Sequence, residues 1–346
     1  MPDLLVPDFK VTIDGAPLKP DLLTCLHSVE VQQSVRLIDQ AVLSFDNPDG
    51  VIGDAKEFKK GNEVEVKVGY VGEITWAFKG DIISVEPHFP SGGGMPSVIV
   101  RAYARLHRYR RGRKQRTFLK QKVSDVIKSC AAEDGLSVEV EDTKVQHDYL
   151  IQNNQTNIEY IQQLARRNGF EVDVLEPGTK LRVKKARYDV GKSHTLKWHD
   201  TLKSFYVRKS LANVATEVTA VYWEMKEKRR ISEKQDSVHG KLAKLQAPAE
   251  AKKAFGDAKV QLSLRPCRAP AEAQALAWAE FNERALDAVK GRGTCVGDAK
   301  VVPGAVIELE GLGKKWEGTY YVTQATHLLH RTAGYSTAFE VQRTGT

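Results

Sequence analysis

Near its end the chain reads Pro303-Gly-Ala-Val-Ile-Glu-Leu309, Trp316-Glu-Gly-Thr-Tyr-Tyr-Val-Thr323 and Gly334-Tyr-Ser-Thr-Ala-Phe-Glu-Val-Gln-Arg343. An earlier stretch has the same layout, with Lys60-Gly-Asn-Glu-Val-Glu-Val66, Trp76-Ala-Phe-Lys-Gly-Asp-Ile-Ile-Ser-Val85 and Ser97-Val-Ile-Val-Arg-Ala-Tyr-Ala-Arg105. Each copy reads as a Gly-led strand, an aromatic-led strand, a loop containing glycine and a closing strand. Two similar antiparallel β-modules in one chain favour an architecture with two equivalent surfaces per subunit, which is typical of ring-building structural proteins.

The composition is that of a folded globular protein. The 346 residues are 41% hydrophobic, which allows two to four small domains with real cores. No apolar run approaches the ~18 residues of a membrane span, and the N-terminal residues do not resemble a signal peptide, so we expect folding in a cytoplasm. The spacing of the cysteines favours buried free thiols over a metal site or disulfides. These cysteines are Cys25, Cys130, Cys267 and Cys295.

The net charge of +8 is distributed unevenly along the chain. Residues 1–100 have eight Lys/Arg and fifteen Asp/Glu, a balance of −7, so the remainder has +15. Residues 101–120, the basic segment, contain nine Lys/Arg and no acidic residue. Such a run can neutralise nucleic-acid phosphates. It can equally be a solvated strand end and linker, or dock an acidic partner subunit, and the absence of a recognition motif favours these last interpretations.

The patterns divide the chain into four parts. Residues 1–108 alternate in polarity and predict a first β-module, a small antiparallel barrel or sandwich, and residues 109–189 predict a small α/β accessory domain. Residues 190–226 and 294–346 predict a second β-module of the same kind, and residues 227–293 a helical or loop insertion. The predicted fold class is mainly β with α+β accessory parts. We expect two superimposable antiparallel barrels rather than one continuous sheet.

Local signals mark individual turns and helices. The run Asp46-Asn-Pro-Asp-Gly50 predicts a turn. Thr156 and Glu159 form a capping-box pattern at the start of a helix that stops at Gly169. A hairpin is expected around Pro177 and Gly178.

The insertion has two further features. An apolar stripe containing Trp278 predicts a helix over about 270–290, and this stripe is more typical of a core than of a partner-binding face. The glycine-rich stretch 291–297 is interpreted as a flexible re-entry into the second β-module, because it lacks the residues of a phosphate loop.

No motif indicates catalysis, so we predict that the protein is not an enzyme. The chain contains no G-x-S-x-G nucleophile elbow, and glycoside-hydrolase carboxylates cannot be located from sequence. His327 and His330 are three apart in a predicted strand, which places them on opposite faces and argues against a shared metal ion. We predict no catalytic residue, no cofactor site and no metal site.

Two motifs make the chain resemble the phage late control protein D / VgrG family. The first is Ile151-Gln-Asn-Asn-Gln-Thr-Asn-Ile-Glu-Tyr-Ile-Gln-Gln-Leu-Ala-Arg-Arg-Asn-Gly-Phe170, a Gln-rich strand followed by a helix that ends at Gly-Phe. The second is the C-terminal pattern of Pro303-Gly304, Gly311-Leu312, the Trp316-x-Gly-x-Tyr-x-Val322 strand, His327 and Gly334-Tyr-Ser-Thr337-x-Phe-Glu. Together the motifs extend the resemblance over nearly the whole chain.

The resemblance implies a baseplate hub protein of a contractile phage tail, tailocin or similar injection system. In that family two tube-forming barrels per subunit assemble as a homotrimer, so that six barrels match the inner tube. The implied partners are an inner tube or tube-initiator protein, a central spike protein, other baseplate proteins and a tape-measure protein, without membrane insertion by the chain itself. Since secretion-type relatives continue into a spike, we expect the spike here to be a separate polypeptide. The expected location is the virion or tail-like particle, assembled in the bacterial cytoplasm.

The charge asymmetry suggests how subunits join. We predict that Arg105, Arg108 and Arg110 of one subunit meet the acidic first module of its neighbour. Two other functions stay open: a tail-associated cell-wall-degrading enzyme, and a nucleic-acid-binding protein that uses the basic segment.

Overall fold

The computed structural model describes residues 6–346 apart from 37, 134, 136, 176–179, 186–190, 225–226, 239–246 and 264–268. About 50% of the residues lie in strands, most of which pair antiparallel, and this confirms the mainly β fold class. Among the described residues, four hydrophobic cores define four groups of elements, one of which comes from two separated parts of the chain.

The first group, the first module, is built from seven strands and helix α1. They are β1 (Pro7–Ile13), β2 (Ala16–Pro17), α1 (Pro20–Cys25), β3 (Leu26–Ser34), β4 (Gln40–Asp46), β5 (Glu63–Tyr70), β6 (Glu73–His88) and β7 (Ser97–Ala104). Short 3₁₀ helices span Ile52–Asp54 and Lys56–Phe58. The strands alternate buried and partly exposed residues, as in β7, so that one face packs on the core. The predicted turn after β4 is confirmed, with Gly50 at φ 74°.

The accessory domain follows a 3₁₀ helix at Arg105–Arg110. It contains β8 (Lys114–Lys122), α2 (Val123–Ala132), β9 (Ser137–Val140), β10 (Gln146–Gln155), α3 (Asn157–Arg167), β11 (Phe170–Leu175) and β12 (Lys180–Lys185). The capping box is confirmed, because Thr156 and Glu159 satisfy each other's backbone amides at the start of α3. Strands β11 and β12 pair as the predicted hairpin, whose turn at Pro177 and Gly178 lies outside the described residues.

The second module is assembled from two separated parts of the chain. Its strands are β13 (His194–Lys197), β14 (Leu202–Lys209), β18 (Val289–Val296), β19 (Val306–Glu310), β20 (Gly318–His330) and β21 (Gly334–Arg343). The insertion between β14 and β18 contains β15 (Glu217–Glu224), β16 (Arg229–Gln235), α4 (Ala247–Phe255), β17 (Lys259–Leu262) and α5 (Pro270–Leu286).

The insertion differs from the prediction in two respects. Strand β15 was assigned to the second barrel, but it pairs with β16 and β17 in a separate three-stranded sheet that packs on α5. Helix α5 ends at Leu286, four residues before the predicted end, because Val289 begins β18. The core interpretation of its stripe agrees with the burial of Phe281 and Ala285, while Trp278 packs against Gly169 of the accessory domain.

The stretch 291–297 is not a flexible loop, so this prediction is wrong. It forms most of β18, a central strand between β14 and β21. A Cβ atom on Gly291 would come within 2.6 Å of the Phe205 ring, and one on Gly293 within 2.7 Å of the Phe339 ring. The glycines therefore allow aromatic rings to lie directly over the strand.

The two modules have the same strand order. In the first module the order is β3-β4-β7-β6-β5-β1, and in the second it is β14-β18-β21-β20-β19-β13. The outermost pairing differs, since β1 runs antiparallel to β5 whereas β13 runs parallel to β19. Each position in the first series thus has an equivalent in the second, and the predicted division into two superimposable barrels stays a proposal.

Strands β6 and β20 are irregular at the same place. In β6 the pairing with β7 shifts between Ile82 and Ser84, and in β20 the pairing with β21 shifts between Val322 and Gln324. A β-bulge bends its strand and increases the local twist. The bulges therefore curve the two modules in the same way.

Strands β3 and β14 share a second bulge. The pairing of β3 with β4 shifts between Leu26 and Ser28, and that of β14 with β18 shifts between Leu202 and Ser204. The pairings of β4 with β7 and of β18 with β21 continue in matching register. Each residue of β3, β4, β7 and β6 can therefore be assigned an equivalent residue in β14, β18, β21 and β20.

The modules are joined rather than separate. Strand β20 pairs with β3 over seven residue pairs, from Gln324 opposite Ser34 to His330 opposite Ser28. This pairing merges both modules into one 13-stranded sheet. The expectation that the modules would not share one continuous sheet is therefore wrong, because an edge of each module supplies the partner for the other.

Candidate assembly surfaces

The basic segment lies where the first module meets the accessory domain. It includes the end of β7, the 3₁₀ helix Arg105–Arg110 and most of β8. Leu106 and Tyr109 anchor this 3₁₀ helix, because both side chains are buried in the hydrophobic core of the accessory domain. Its polar side chains turn instead toward the first module.

Asp81 of β6 anchors this helix. Its carboxylate is 3% exposed and accepts hydrogen bonds from His107 Nε2 at 2.8 Å and from Arg108 Nε and Nη2 at 2.8 and 2.9 Å. Burial alone would raise the pKa of Asp81, but the hydrogen bonds from His107 and Arg108 lower it to about 2. Arg108 thus compensates a buried charge of its own chain.

Two neighbouring cations of the segment are also paired internally. Arg105 Nη2 donates to Glu63 of β5, and Lys79 Nζ lies 2.8 Å from the other oxygen of the same carboxylate. Arg101 pairs with Glu86 across β7 and β6 at 2.9 Å. Arg101 and Arg105 of the basic segment thus form ion pairs with carboxylates of the first module.

The accessory domain takes up the next cations. Arg116 and Lys114 of β8 donate to Glu133 after α2, and Asn157 Nδ2 donates to the same carboxylate at 2.9 Å. Burial favours the neutral form of Glu133, but these hydrogen bonds bring its pKa down to about 2. Arg113 Nη2 lies 3.4 Å from an oxygen of Glu159.

The candidate interface residues therefore separate into two kinds. Arg105 and Arg108 bind carboxylates of their own module, whereas Arg110 is exposed and lines a shallow hollow beside Gln40 and Tyr103. Arg110, Arg111 and Lys120 have no ion-pair partner in the described part of the chain. A role of the three candidate arginines in subunit contacts stays a prediction.

A polar face extends across the joined sheet. One cross-strand row contains Tyr206, Arg292, Glu340, Gln324 and Ser34, contributed in turn by β14, β18, β21, β20 and β3. The Arg292 guanidinium lies 5.2 Å from the centroid of the Tyr206 ring, within cation–π range. Sequence reasoning missed this surface, because its residues come from strands on both sides of the insertion.

Two partly buried carboxyls lie at the junction of the two modules and the accessory domain. Tyr321 of β20 donates a hydrogen bond to Glu171 of β11, and Asp39 before β4 accepts one from the Ser34 amide at 3.1 Å. Burial raises the pKa of both carboxyls to about 7, and the nearby Asp173 carboxylate adds to the shift. Both modules and the accessory domain thus meet around groups that favour the neutral form.

The histidine pair has a structural role. His327 is 1% exposed and its Nδ1 lies 2.9 Å from the Tyr335 hydroxyl, whereas His330 is partly exposed on the opposite face of β20, as the strand period predicts. Burial lowers the pKa of His327 to about 4. No group of three or more His, Cys, Asp or Glu residues within the described ranges is arranged to hold a metal ion.

Two further expectations concern thiols and membrane spans. Cys25, Cys130 and Cys295 are free, with Cys130 and Cys295 buried, while Cys267 lies outside the described residues. None of the helices in the described portion has the length and apolar character of a membrane span.

Comparison with known families identifies a match over most of the chain. The model of the Alg8 N-terminal domain family (Alg8_N) matches residues 4–331. No curated protein matches the sequence significantly.

Two of the solved structures with a similar fold are tail proteins. The 43 kDa tail protein of prophage MuSo2 from Shewanella oneidensis has a TM-score of 0.73 at 12% identity, with 98% of each chain covered. A tail protein from Neisseria meningitidis has a TM-score of 0.69 at 15% identity, covering 98% of this chain and 97% of that one.

A third similar structure is an E. coli component of the type VI secretion system, described as structurally similar to the bacteriophage T4 tail proteins gp27 and gp5. Its TM-score is 0.57 at 12% identity, with 96% of this chain and 76% of that chain covered. The resemblance to tail proteins seen in the sequence is thus confirmed at the level of the fold.

Proposed function

The chain belongs to the Alg8 N-terminal domain family, and we propose that it is a structural protein of a contractile phage tail or phage-tail-like particle. Within that particle we assign it to the baseplate hub, as the late control protein D / VgrG resemblance implies. Its location is then the assembled particle. The shared fold with tail proteins supports this proposal.

The observation that carries the proposal is the repeated four-strand register. Strands β3, β4, β7 and β6 correspond to β14, β18, β21 and β20, with both bulges at equivalent positions. A single chain therefore presents two copies of one surface. The modules are joined edge to edge through β3 and β20, which is a contact that a further copy of the chain can repeat.

Three copies of such a chain form a ring of six modules. Because its three chains are identical, the ring has three-fold symmetry. Because the two modules of each chain are similar, the ring also has pseudo-six-fold symmetry. It can therefore match a six-fold tube protein on one side and a three-fold spike on the other. A tube or tube-initiator protein, a central spike, other baseplate proteins and a tape-measure protein are the partners that this position requires.

An enzymatic role has less support. The solved structures with this fold are described as tail and secretion-system proteins. The buried His327 and the buried thiols of Cys130 and Cys295 are shielded from substrate. Clearing of a peptidoglycan gel by the purified chain would instead support a cell-wall-degrading enzyme.

Nucleic-acid binding through the basic segment is also less favoured. Arg101, Arg105, Arg108 and the cations near Glu133 and Glu159 are paired within the chain, which leaves fewer charges for phosphates. DNA retention that falls steeply with salt, and that is lost in Arg110→Ser/Arg111→Ser, would support that alternative.

Electron microscopy of the purified protein tests the proposed function. We expect ring-shaped particles with three-fold symmetry and six similar lobes around a central opening. Particles of another symmetry, or single chains at all concentrations, would contradict it.

A further inference from the structure

Two strand edges of the joined sheet, along β14 and along part of β6, have no strand partner among the described residues. Strand β14 ends the strand order and, after the bridge from Trp198 to Leu202, has no strand on its outer side among the described residues. Strand β6 pairs with β7 along residues 80–88, but β5 covers its other side only as far as Asp81. Residues 84–88 of β6 thus form a second open edge.

We propose that β14 of one copy of the chain pairs antiparallel with residues 84–88 of β6 in the next copy. The proposal rests on the ring that the proposed function requires, and it specifies which edges meet and in what register. Its basis is the contact between the modules within one chain, where β3 pairs with β20. Since β14 is equivalent to β3 and β6 is equivalent to β20, the free edges are the ones that would repeat this contact.

The bulges fix the register of the new contact. Gln324 is the first paired residue after the bulge in β20, and Ser84 is the first after the bulge in β6, so these two residues are equivalent. Ser28 of β3 and Ser204 of β14 are equivalent for the same reason. Within the chain, Thr326 lies opposite Gln32. Transferring this pairing to the free edges places Glu86 opposite Arg208.

The side chains at this register are complementary. Glu86 is an acid of the first module, and Arg208 is exposed with no ion-pair partner in the described ranges. The next pair on the same face joins His88 to Tyr206, whose side chain is 60% exposed. Opposite charges and aromatic pairs that face each other across antiparallel strands stabilise a sheet.

Exposed apolar surface is found at both edges. Phe89, directly after β6, is 62% exposed, and in the transferred register it faces Phe205 beside Tyr206. Aromatic side chains are enriched in protein–protein interfaces relative to the rest of the surface. The location of Phe89 and Tyr206 at the two open edges therefore favours a second copy as the occupant.

Pro87 limits the pairing. It has no backbone N–H, so its pair with Val207 can form only one of the two hydrogen bonds of a ladder pair. Proline at an open edge also reduces unspecific strand addition. The contact therefore depends on its side-chain pairs, and Glu86 with Arg208 is the pair to test.

Cross-linking tests the register directly. Directly opposed residues of antiparallel strands have Cα atoms about 4.5–5.5 Å apart, within the range of a disulfide. On oxidation the Glu86→Cys/Arg208→Cys chain should form covalent dimers and trimers, and a mixture of the two single variants should stop at dimers. The Glu86→Cys/Ser204→Cys chain, displaced by four residues, and the parent chain are the controls.

Charge exchange gives a second, independent readout. Glu86→Arg and Arg208→Glu should each weaken self-association about fivefold or more, because like charges then face each other. The variant with both changes should recover most of the loss. Circular dichroism of each variant verifies that the monomer remains folded.

The outcomes separate this proposal from the proposed function. Rings that form without cross-linking at 86 and 208, and without charge rescue, would overturn the edge pairing but leave the ring standing. Cross-linking as strong in the displaced pair would also overturn it. A chain that stays monomeric and uncross-linked would contradict both proposals.

Discussion

Gly61 and Gly304 make the same backbone hydrogen bond in the two modules. The Gly61 amide donates to the carbonyl of Ile82 at 2.8 Å, and the Gly304 amide donates to that of Val322 at 2.9 Å. Both glycines have positive φ, 96° and 82°, a conformation that other residues rarely adopt. The two modules therefore share a backbone hydrogen bond as well as a sequence pattern, and in both modules the bond is made to the residue directly before the bulge in β6 or β20.

Gly293→Ala tests the close packing over β18. The added Cβ would lie 2.7 Å from both the Phe339 ring and the Ser204 carbonyl oxygen, so that the strand or the ring must move. We expect the free energy of unfolding to fall by about 1–3 kcal/mol in chemical denaturation. Gly191→Ala is the matched control, since no atom lies within 4 Å of its Cβ position, and equal losses in both variants would refute the packing argument.

Asp81→Asn tests the anchor of the 3₁₀ helix. Removing the buried charge that His107 and Arg108 bind should lower the free energy of unfolding by about 2 kcal/mol at pH 7. Because the folded pKa of about 2 lies below the ordinary 3.8, the loss should shrink as the pH falls below 3.8. Arg101→Gln, which breaks an exposed pair with Glu86, should cost no more than about 1 kcal/mol.

Charge reversal at Arg105 and Arg108 should destabilise the monomer. The new carboxylates of Arg105→Glu/Arg108→Glu would face Glu63 and Asp81, so we expect a lower melting temperature. Arg110→Glu, at an exposed position, should leave the melting temperature within about 1–2 °C of the parent. Should the double variant melt like the parent, the internal pairs contribute little and the arginines are free for a subunit contact.

Glu171→Gln tests one of the two partly buried carboxyls at the junction. The folded pKa of about 7 lies above the ordinary 4.5, so the folded state holds its proton more tightly. The free energy of unfolding of the parent should therefore fall as the pH rises from 4.5 to 7.

The variant lacks this titration and should gain on the parent by a few °C in melting temperature between pH 5 and pH 8. Glu310→Gln, at an exposed position on β19, is the control. An unchanged difference between parent and Glu171→Gln across this range would rule out the shifted pKa.

Features of the fold that depend on residues close together in the chain can be predicted from the sequence. The capping box of Thr156 and Glu159 and the turn that ends at Gly50 are read correctly, because the residues that form them are neighbours in the chain. The three-strand layout of each copy is visible because Gly61 and Gly304 introduce similar strands.

Tertiary contacts decide the remainder. Gly291 and Gly293 are typical of a loop until the rings of Phe205 and Phe339 are seen to cover them. Arg108 cannot be distinguished from a free surface cation, since its partner Asp81 is brought to it by strand pairing. The equivalence of β3 with β14 is hidden in the sequence because backbone register, and not side-chain identity, is conserved between the two modules.

In the proposed assembly three chains, each with two equivalent modules, build a closed ring. Native mass spectrometry over a range of protein concentrations measures how many chains the assembly contains. We predict a species of three times the 38.6 kDa chain mass that persists on dilution. A stable monomer, or an assembly whose chain number is not three, would contradict the account.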